Sequence, residues 1–394
     1  MIINYKKIDT FMIILIIFLP LLFISDGVSK YLTVQGSNPG RIFLMVRLLF
    51  EMIIIFYLLK NIKKDIAIYF GALGLLFVFF AVGQLSIGND NDFIENFISF
   101  NKYIFLFLVY IFLKKILYLS EEKRNFVYKI LTFLFIVNII FIFIGFIFEI
   151  SFFESFYNMD YRFGYDGIFL AGNEASFVLI SMISFFYFKT FYEDGSLLLL
   201  LASISASLLS GMKAVYIYLS LLAVFHIIFK MKKKYFVLLI PLSVYASGFA
   251  IEYIKSEQFQ ILISFFLKIY EEEGLFYMLL SGRNEILAHE SNLVMKDWSL
   301  INYLFGGRDT VKYIMEMDFF DLILFFGGVG SLIYIYLFYK FFIQKLLWHK
   351  YLTFFIFSIL ILAFWGGHFL TSAVTATYFT LVVLYFQSYR LEQK

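Results

Sequence analysis

Long runs of apolar residues, separated by short charged connections, are the dominant pattern of this sequence. A helix that crosses a membrane needs about 20 consecutive apolar residues, and most of these runs come close to that length. The candidate spans are residues 11–25, 42–59, 66–87, 98–118, 126–148, 168–188, 196–209, 213–229, 235–251, 319–339, 351–367 and 371–387. The pattern predicts an all-α integral membrane protein with about 12 transmembrane helices.

The charges of the connections predict the orientation. With an even number of spans, both termini lie on the same side of the membrane as every second connection. These connections are rich in lysine: Lys60–Lys64, Lys114–Lys129, Lys189–Asp194, Lys230–Lys234 and Lys340–Lys350. Because cytoplasmic connections carry an excess of Lys and Arg, we expect cytoplasmic N and C termini. No small-residue cleavage pattern follows the first apolar run, so we expect that helix to be retained.

One connection is much longer than the others. Residues 252–318 separate spans nine and ten, and they contain helix-like stretches near 256–272 and 283–297. Connections of such length without a function are uncommon. We expect this one to be a large extracytoplasmic loop that caps the membrane surface. We also expect residues 1–394 to form a single polytopic membrane domain.

Composition narrows the possible chemistry. The chain is 62% hydrophobic and 15% charged, and its mean hydropathy is +0.86. Its hydrophobic fraction exceeds that of soluble domains. It has no cysteine and only four histidines, so disulfides and thiolate metal sites are excluded and no metal site has a recognisable ligand spacing. We expect no cofactor and no metal. The net charge of +3 gives no signal for nucleic acid binding.

The arginines are few and lie mostly on one predicted side. The chain has seven, and five lie on the outer side or in the outer half of a span: Arg41, Arg47, Arg162, Arg283 and Arg308. A guanidinium binds phosphate or carboxylate bidentately, which lysine cannot do. This favours an anionic ligand at the outer membrane face. Arg47 is the exception, because Glu51 lies one helical turn away and we expect the two to pair. Local acids offer pairs to two others, Asp309 to Arg308 and Asp160 or Asp166 to Arg162, but for Arg162, Arg283 and Arg308 we favour a ligand.

Four short segments carry most of the remaining polar chemistry. We name them segments one to four in chain order: Tyr161–Glu174, Leu209–Lys213, Ser281–Glu285 and Gly306–Gly330. Segment one contributes polar side chains at a predicted helix start, where free backbone N–H groups favour anions. Segment three is a turn that could open a helix with Arg283 in its first turn. Segment four places three carboxylates at a span start, where favourable charge against the helix dipole explains one well and three poorly.

The order of these segments resembles that of a known family. Arg-Phe-Gly and Gly-Asn-Glu-Ala before one span, Ser-Gly-X-Lys before another, Ser-Gly-Arg in a large loop, and an acidic-aromatic stretch leading to Gly-Gly-Val-Gly resemble the Wzy-type O-antigen or capsule polymerases, which belong to one superfamily with the O-antigen ligases. The resemblance covers roughly residues 160–370. Family members often carry Arg where this chain has Lys213. The ligase branch carries a His near the start of the span that begins here around Glu316 to Asp321, so its absence argues against a ligase.

The resemblance implies a membrane-embedded glycosyltransferase. Such an enzyme polymerises undecaprenyl-pyrophosphate-linked oligosaccharide repeat units at the outer leaflet of the bacterial cytoplasmic membrane, with its active site facing the periplasm or exterior. Its partners are the lipid-linked donor, the lipid-linked acceptor and membrane lipid, and it leaves room for a chain-length regulator. The product is O-antigen, capsule or a related surface polysaccharide. A direct, metal-independent displacement would invert the anomeric centre.

This chemistry needs cations and a base. Cations stabilise the charge that develops on the leaving pyrophosphate, and a carboxylate or His takes the proton from the acceptor hydroxyl. We expect substrate contacts from residues of segments one to four: Arg162, Asn173, Glu174, Lys213, Arg283 and Arg308. The base candidates, in order, are Glu316, Asp318 and His368. Asp321 lies one helical turn beyond Asp318, so we expect it to have a structural role.

Two other functions compete with polymerisation. A lipid-linked oligosaccharide flippase also has about a dozen helices, but it needs charge in both halves of a central cavity and usually lacks a dominant outer loop. A membrane acyltransferase would need a His/Arg pair near a cytoplasmic donor site, and His226 and His349 have no Arg beside them. The sequence therefore favours the polymerase over both.

Overall fold

A computed structural model describes residues 9–37, 42–87, 92–157, 162–230, 257–296, 298–310, 312, 313 and 315–392. Within these residues the regular structure is helical. We number the α-helices in chain order: α1 (Thr10–Val34), α2 (Ile42–Lys60), α3 (Lys64–Ser86), α4 (Phe93–Leu113), α5 (Glu121–Phe148), α6 (Gly172–Tyr192), α7 (Leu197–Leu208), α8 (Lys213–Phe229), α9 (Glu257–Leu280), α10 (Arg283–Lys296), α11 (Leu300–Phe305), α12 (Asp318–Phe338), α13 (Lys350–Trp365) and α14 (Ala373–Glu392).

Seven of the described helices are long and apolar enough to cross a membrane. They are α1, α2, α3, α5, α6, α4 with its 3-10 extension to Tyr118, and α12 with its π-helical extension to Ile343. The helices α7, α8 and α13 are apolar but shorter. A helix satisfies its own backbone hydrogen bonds, as a lipid environment requires. The described part of the chain therefore has the architecture of an α-helical membrane protein.

The predicted spans correspond closely to these helices. Spans one to six and span ten match the seven long helices, spans seven, eight and eleven match the three shorter ones, and span twelve matches α14. Span nine, residues 235–251, lies outside the described residues. The largest error is in the first span, which was expected to end at residue 25 and continues to Val34. The division at segment two is present, because α7 ends at Leu208 and α8 begins at Lys213.

Helix α14 lies at the centre of the bundle and contacts α4 and α6. Small or short side chains on it are fully enclosed, among them Thr375, Thr377 and Thr380. Small residues let membrane helices approach closely, and van der Waals packing then stabilises their association. Large aromatic side chains from the surrounding helices fill the remaining space. The polar residues considered below lie at the end of the bundle where α14 begins.

Segment four folds back on itself through two glycines. Gly306 lies against the backbone of Phe325 and Gly327, and a Cβ at either glycine would overlap the opposite backbone. The helical geometry of α12 is interrupted at Gly327. Such a close approach of two backbones requires glycine. It fixes the turn before Arg308 against the side of α12.

Candidate functional site

Segments one and two are held together by a backbone contact between glycines. Gly211 has a φ of 69°, and a Cβ on it would overlap the backbone next to Gly164. The amide of Tyr165 donates to the carbonyl of Leu209 at 2.8 Å. Only glycine readily combines this φ with such close approach. This contact brings Arg162 of segment one close to Lys213 of segment two.

Lys213 joins segment two to segment three. Its Nζ donates to the carbonyl of Met278 at 3.1 Å and to the Oγ of Ser281 at 3.0 Å. Arg162 and Arg283 lie close enough for their charges to repel that of Lys213. Three cations from three segments therefore share one region, which is the arrangement that an anionic ligand stabilises.

Arg283 joins segment three to segment four. It is the first residue of α10, as expected, and its Nη2 donates to Oε2 of Glu316 at 3.1 Å. We call this the open pair, because the side chains are 18% and 44% exposed. The Nε of Arg283 makes no hydrogen bond within the described residues. The guanidinium is thus only partly satisfied by its partner.

Asp318 is buried and fully engaged. Its carboxylate accepts backbone N–H groups of His368 at 2.9 Å, Phe369 at 2.7 Å and Leu370 at 3.3 Å. These bonds fasten the turn between α13 and α14 to the first residue of α12. The buried carboxylate is therefore placed to hold this turn and not to meet an acceptor hydroxyl at the surface.

The three base candidates meet at this turn. The backbone of Glu316 packs on Gly367, so that a Cβ at that glycine would overlap it. His368 follows directly and has a φ of 74°, while Glu316 has a φ of 54°. Left-handed conformations at residues other than glycine are uncommon and cluster at functional sites. Of the three candidates, Glu316 is the most exposed carboxylate.

Arg308 lies in a different environment. Its Nη1 donates to Oδ1 of Asp321, and Oδ2 of Asp321 accepts the amide of Met317 at 3.2 Å. We call this the closed pair, because the two side chains are only 6% and 11% exposed. Burial lowers the pKa of Arg308 from its usual value. Arg308 thus does not pair with Asp309, the local acid that the sequence offered, and Asp309 instead lies 3.6 Å from Lys312.

A polar cavity adjoins the turn at His368. Its volume is about 310 Å³, and it lies between α1, α2, α4, α6 and the start of α14. The charged or titratable residues that line it are Arg47, Glu95, Lys102, Glu174 and His368. Two of these, Glu174 and His368, were expected from the sequence. Lys102 and Glu95 were not, although a lysine within an apolar run is a recognised signal for function.

The remaining residues that the sequence singled out have local contacts of their own. Arg162 stacks on the ring of Phe156, with 3.7 Å between the guanidinium carbon and the ring centroid. Asn173 lies in the first turn of α6, partly buried. Arg47 lies 3.6 Å from Glu51, as expected for residues one turn apart. Arg41 and residues 231–256 lie outside the described residues.

A buried ion pair between α1 and segment one could not be predicted from the sequence. Lys30 donates to Asp166 and, at 2.8 Å, to the carbonyl of Gly167. Burial raises the pKa of Asp166 to about 6, although the charge of Lys30 opposes this. Asp26, one turn before Lys30, accepts the amide of Leu170 at 3.2 Å. Because the first span was expected to end at residue 25, both charges were assigned to a connection.

An apolar groove of about 380 Å³ lies between α12 and α13. One end is formed by Phe319 and Trp365, beside the turn that Asp318 fastens, and the groove continues to Phe338 and Ile343. Polar and apolar sites therefore adjoin. Within the described residues, no group of three or more His, Asp or Glu side chains is arranged to hold a metal ion.

These contacts bring together most of the residues that the sequence singled out. The open pair, Lys213 and Arg162 form one cluster, Glu174 and His368 line the adjoining cavity, and Arg308 is enclosed in the closed pair. No family model, curated protein or solved structure matches the chain.

Proposed function

We propose that this protein is a Wzy-type polymerase that joins undecaprenyl-pyrophosphate-linked oligosaccharide repeat units. It acts at the outer leaflet of the bacterial cytoplasmic membrane, with 12 spans in all and both termini in the cytoplasm. The large loop between spans nine and ten covers the site on the outer side. The product is a surface polysaccharide such as O-antigen or capsule.

One observation carries this proposal: consecutive contacts join all four segments. Segment one packs on segment two, Lys213 reaches Ser281 of segment three, and Arg283 reaches Glu316 of segment four. These segments are up to about 150 residues apart in the chain, and packing of apolar helices alone does not require their polar residues to meet. A shared anionic ligand gives them a common role.

The open pair supplies both kinds of group that the reaction needs. The acceptor hydroxyl attacks the anomeric carbon, a new C–O bond forms, and its proton passes to Glu316. The bond between that carbon and the pyrophosphate oxygen breaks, and the electron pair leaves with undecaprenyl pyrophosphate. Arg283 and Lys213 stabilise the resulting charge. Attack opposite to the leaving group inverts the anomeric centre.

Arg283 has a double role in this scheme. A pyrophosphate that binds its guanidinium bidentately competes with Glu316. Substrate binding therefore releases the carboxylate at the moment when a base is required. Asp318, whose oxygens accept three backbone N–H groups, acts as a positioning residue for the turn at His368.

The apolar groove between α12 and α13 offers a place for the polyprenyl chain. Its end at Phe319 and Trp365 adjoins the turn next to Glu316. A lipid chain in the groove would present its pyrophosphate to the open pair. This arrangement needs no movement of the lipid into the centre of the bundle.

Mass analysis of lipid-linked glycans tests the proposed reaction. In a strain that lacks the protein, we expect single repeat units to accumulate on the lipid carrier at the outer face. Restoring the wild-type protein should convert them to polymer, and restoring Glu316→Gln should not. Loss of outward-facing units, with accumulation inside, would identify a flippase instead.

Reporter fusions test the orientation. A reporter that is active only in the cytoplasm should be active when fused after Lys234 and silent when fused after Glu273. Activity after Glu273 would invert the proposed topology. The open pair would then face the cytoplasm and could not meet an outward-facing substrate.

A further inference from the structure

The polar cavity is built from the ends of several helices. Arg47 lies in the second turn of α2, Glu174 in the first turn of α6, and Ser372 directly before α14. Glu95 belongs to the first turn of α4. The N-terminal ends of four helices, each longer than eight residues, therefore surround one space. Each contributes positive potential from its backbone dipoles, which favours an anionic group inside.

Arg47 provides the strongest sign of a missing ligand. It is only 3% exposed, yet its Nε and Nη2 donate no hydrogen bond to any of the described residues. Glu51, at 3.6 Å from Nε, is beyond the range of a normal hydrogen bond. Buried donors without an acceptor are rare in folded proteins and call for an explanation. Because Arg47 lines the cavity, an anionic group inside it would lie beside this buried, incompletely paired guanidinium.

The second cation points to the same end of the bundle. Lys102 lies on α4 and lines the cavity. Side chains on a helix lean towards its N-terminus, so Lys102 and Arg47 both lean towards the end where the helices begin. Together they offer a bidentate fork and a point charge, which is a combination that suits a phosphate.

The carboxylates of the cavity suggest the rest of the ligand. Glu95 and Glu174 face the same space as the two cations. A carboxylate would repel a bare phosphate but accepts hydrogen bonds from hydroxyl groups. Ser29, Thr371 and Ser372 add hydroxyl groups to the wall. The cavity, at about 310 Å³, is at the small end of ligand pockets. A single sugar that carries a phosphate matches this mixture of cations, carboxylates and size.

We propose that this cavity binds a sugar phosphate, with the phosphate on Arg47 and Lys102 and the sugar hydroxyls on Glu95 and Glu174. Resting on the proposed function, the inference identifies the ligand as the phosphate-bearing sugar end of a lipid-linked glycan. The wall at His368 is part of the turn against which the backbone of Glu316 packs. The cavity therefore adjoins the open pair and serves as a second binding site beside it.

Titration of the purified full-length protein in detergent tests this binding. The probes are glucose 1-phosphate, polyprenyl phosphoglucose, inorganic phosphate and glucose. We expect at least one of the two phosphorylated sugars to bind more tightly than phosphate or glucose. Tighter binding of the polyprenyl compound supports a lipid-carried ligand, and tighter binding of glucose 1-phosphate supports a free one. If inorganic phosphate or glucose binds as tightly as the tighter of the two sugar phosphates, the proposal is overturned, as it is if no probe binds.

Variants assign the binding to this cavity. Arg47→Gln and Lys102→Met should each lower the affinity for the tighter-binding probe by about 10-fold to 100-fold. This is the contribution expected of a hydrogen bond to a charged group. Removal of Arg47 also leaves Glu51 unpaired, so the double variant Arg47→Gln, Glu51→Gln removes both charges and keeps the test valid if the single variant does not fold. Unchanged affinity in the double variant and in Lys102→Met would overturn the assignment.

Two matched controls remove the same kinds of charge elsewhere. Arg390→Gln changes the far end of α14, about 25 Å along the helix from Ala373. Lys268→Met changes an exposed lysine on α9. Both controls should bind the probe as the wild type does. If the variants weaken binding but the strain without the protein accumulates no repeat units, the site stands and the proposed function fails. If repeat units accumulate but the probes do not bind, the proposed function stands and the proposed site fails.

Discussion

Two arginine–carboxylate pairs show how the same chemistry is used differently in this molecule. Arg283 and Glu316 form the open pair, with side chains 18% and 44% exposed. Arg308 and Asp321 form the closed pair, with side chains 6% and 11% exposed. Both pairs link the loop to the start of α12. Only in the open pair can the arginine exchange its carboxylate partner for a ligand without leaving a buried charge unpaired.

The difference lies in what surrounds each pair. The closed pair is enclosed by the turn at Gly306 and by α3, where Gln84 donates to the carbonyl of Arg308 at 3.1 Å. Loss of one partner there leaves a charge in a medium of low polarity, which is strongly unfavourable. The open pair is partly solvated, so its contribution to stability is small. We therefore expect the open pair to govern activity and the closed pair to govern folding.

The largest expected effect is on catalysis at Glu316. A glutamine keeps the size of the side chain but cannot take a proton, so Glu316→Gln should lower the rate of glycan extension by about 10²-fold to 10⁴-fold. Protein abundance and thermal midpoint should stay at wild-type values. The matched variant Asp318→Asn should instead lower the thermal midpoint, because an amide cannot accept all three N–H groups. A Glu316→Gln protein that extends glycans normally would exclude Glu316 as the base.

The closed pair should show the opposite behaviour. Arg308→Gln leaves Asp321 buried without its partner and should cost about 3–5 kcal/mol of stability. The measurements are membrane abundance and thermal unfolding in detergent. Lys268→Met, which removes a cation from an ion pair with Glu272 whose side chains are both exposed, serves as the control and should change little. If Arg308→Gln were as stable as this control, the two pairs would not differ as described.

A smaller effect is expected from the shape of Arg283. Arg283→Lys keeps the charge but loses the bidentate fork, so polymer formation should fall by about 10-fold to 100-fold. This loss should be nearly as severe as that caused by Arg283→Ala, with normal abundance in both cases. Polymer length and amount in cells provide the measurement. If Arg283→Lys made as much polymer as the wild type, only the positive charge of Arg283 would matter and not its bidentate fork.

The smallest effect concerns pH and the buried pair of Lys30 and Asp166, which joins α1 to segment one. The pKa of Asp166 is raised to about 6, so the folded protein binds a proton more readily than the unfolded chain between pH 4 and 6. Stability from this group therefore rises as the pH falls from 7 to 5, on the order of 1 kcal/mol. Thermal midpoints of the wild type and Asp166→Asn at the two pH values measure it. If the thermal midpoint of the wild type did not rise relative to that of the variant when the pH falls from 7 to 5, the raised pKa would be contradicted.

Much of the fold could be predicted from the sequence. Apolar runs determine helices because the backbone must be satisfied within lipid, and α2 and α5 were located to within a few residues. The start of α10 at Arg283 was also predicted, because Ser281 and Gly282 form a turn before it. Arg47 and Glu51 pair because a local rule, the helical repeat, determines their contact.

The contacts that depend on tertiary packing could not be predicted. Arg308 pairs with Asp321 across the turn of segment four, whereas the sequence offered only its neighbour Asp309. Lys30 and Asp166 are more than a hundred residues apart. Lys102 lines the cavity only because α2, α4, α6 and α14 converge there. Each of these contacts is determined by how helices are arranged, which a single sequence does not record.

Glycan extension by the purified protein tests the central claim most directly. The wild-type protein, supplied with lipid-linked repeat units from the strain that lacks it, should produce a ladder of longer lipid-linked glycans and release undecaprenyl pyrophosphate. Glu316→Gln should produce neither, although it folds normally. A wild-type protein that leaves the repeat units unchanged in length, or a Glu316→Gln protein that builds the same ladder, would contradict the account.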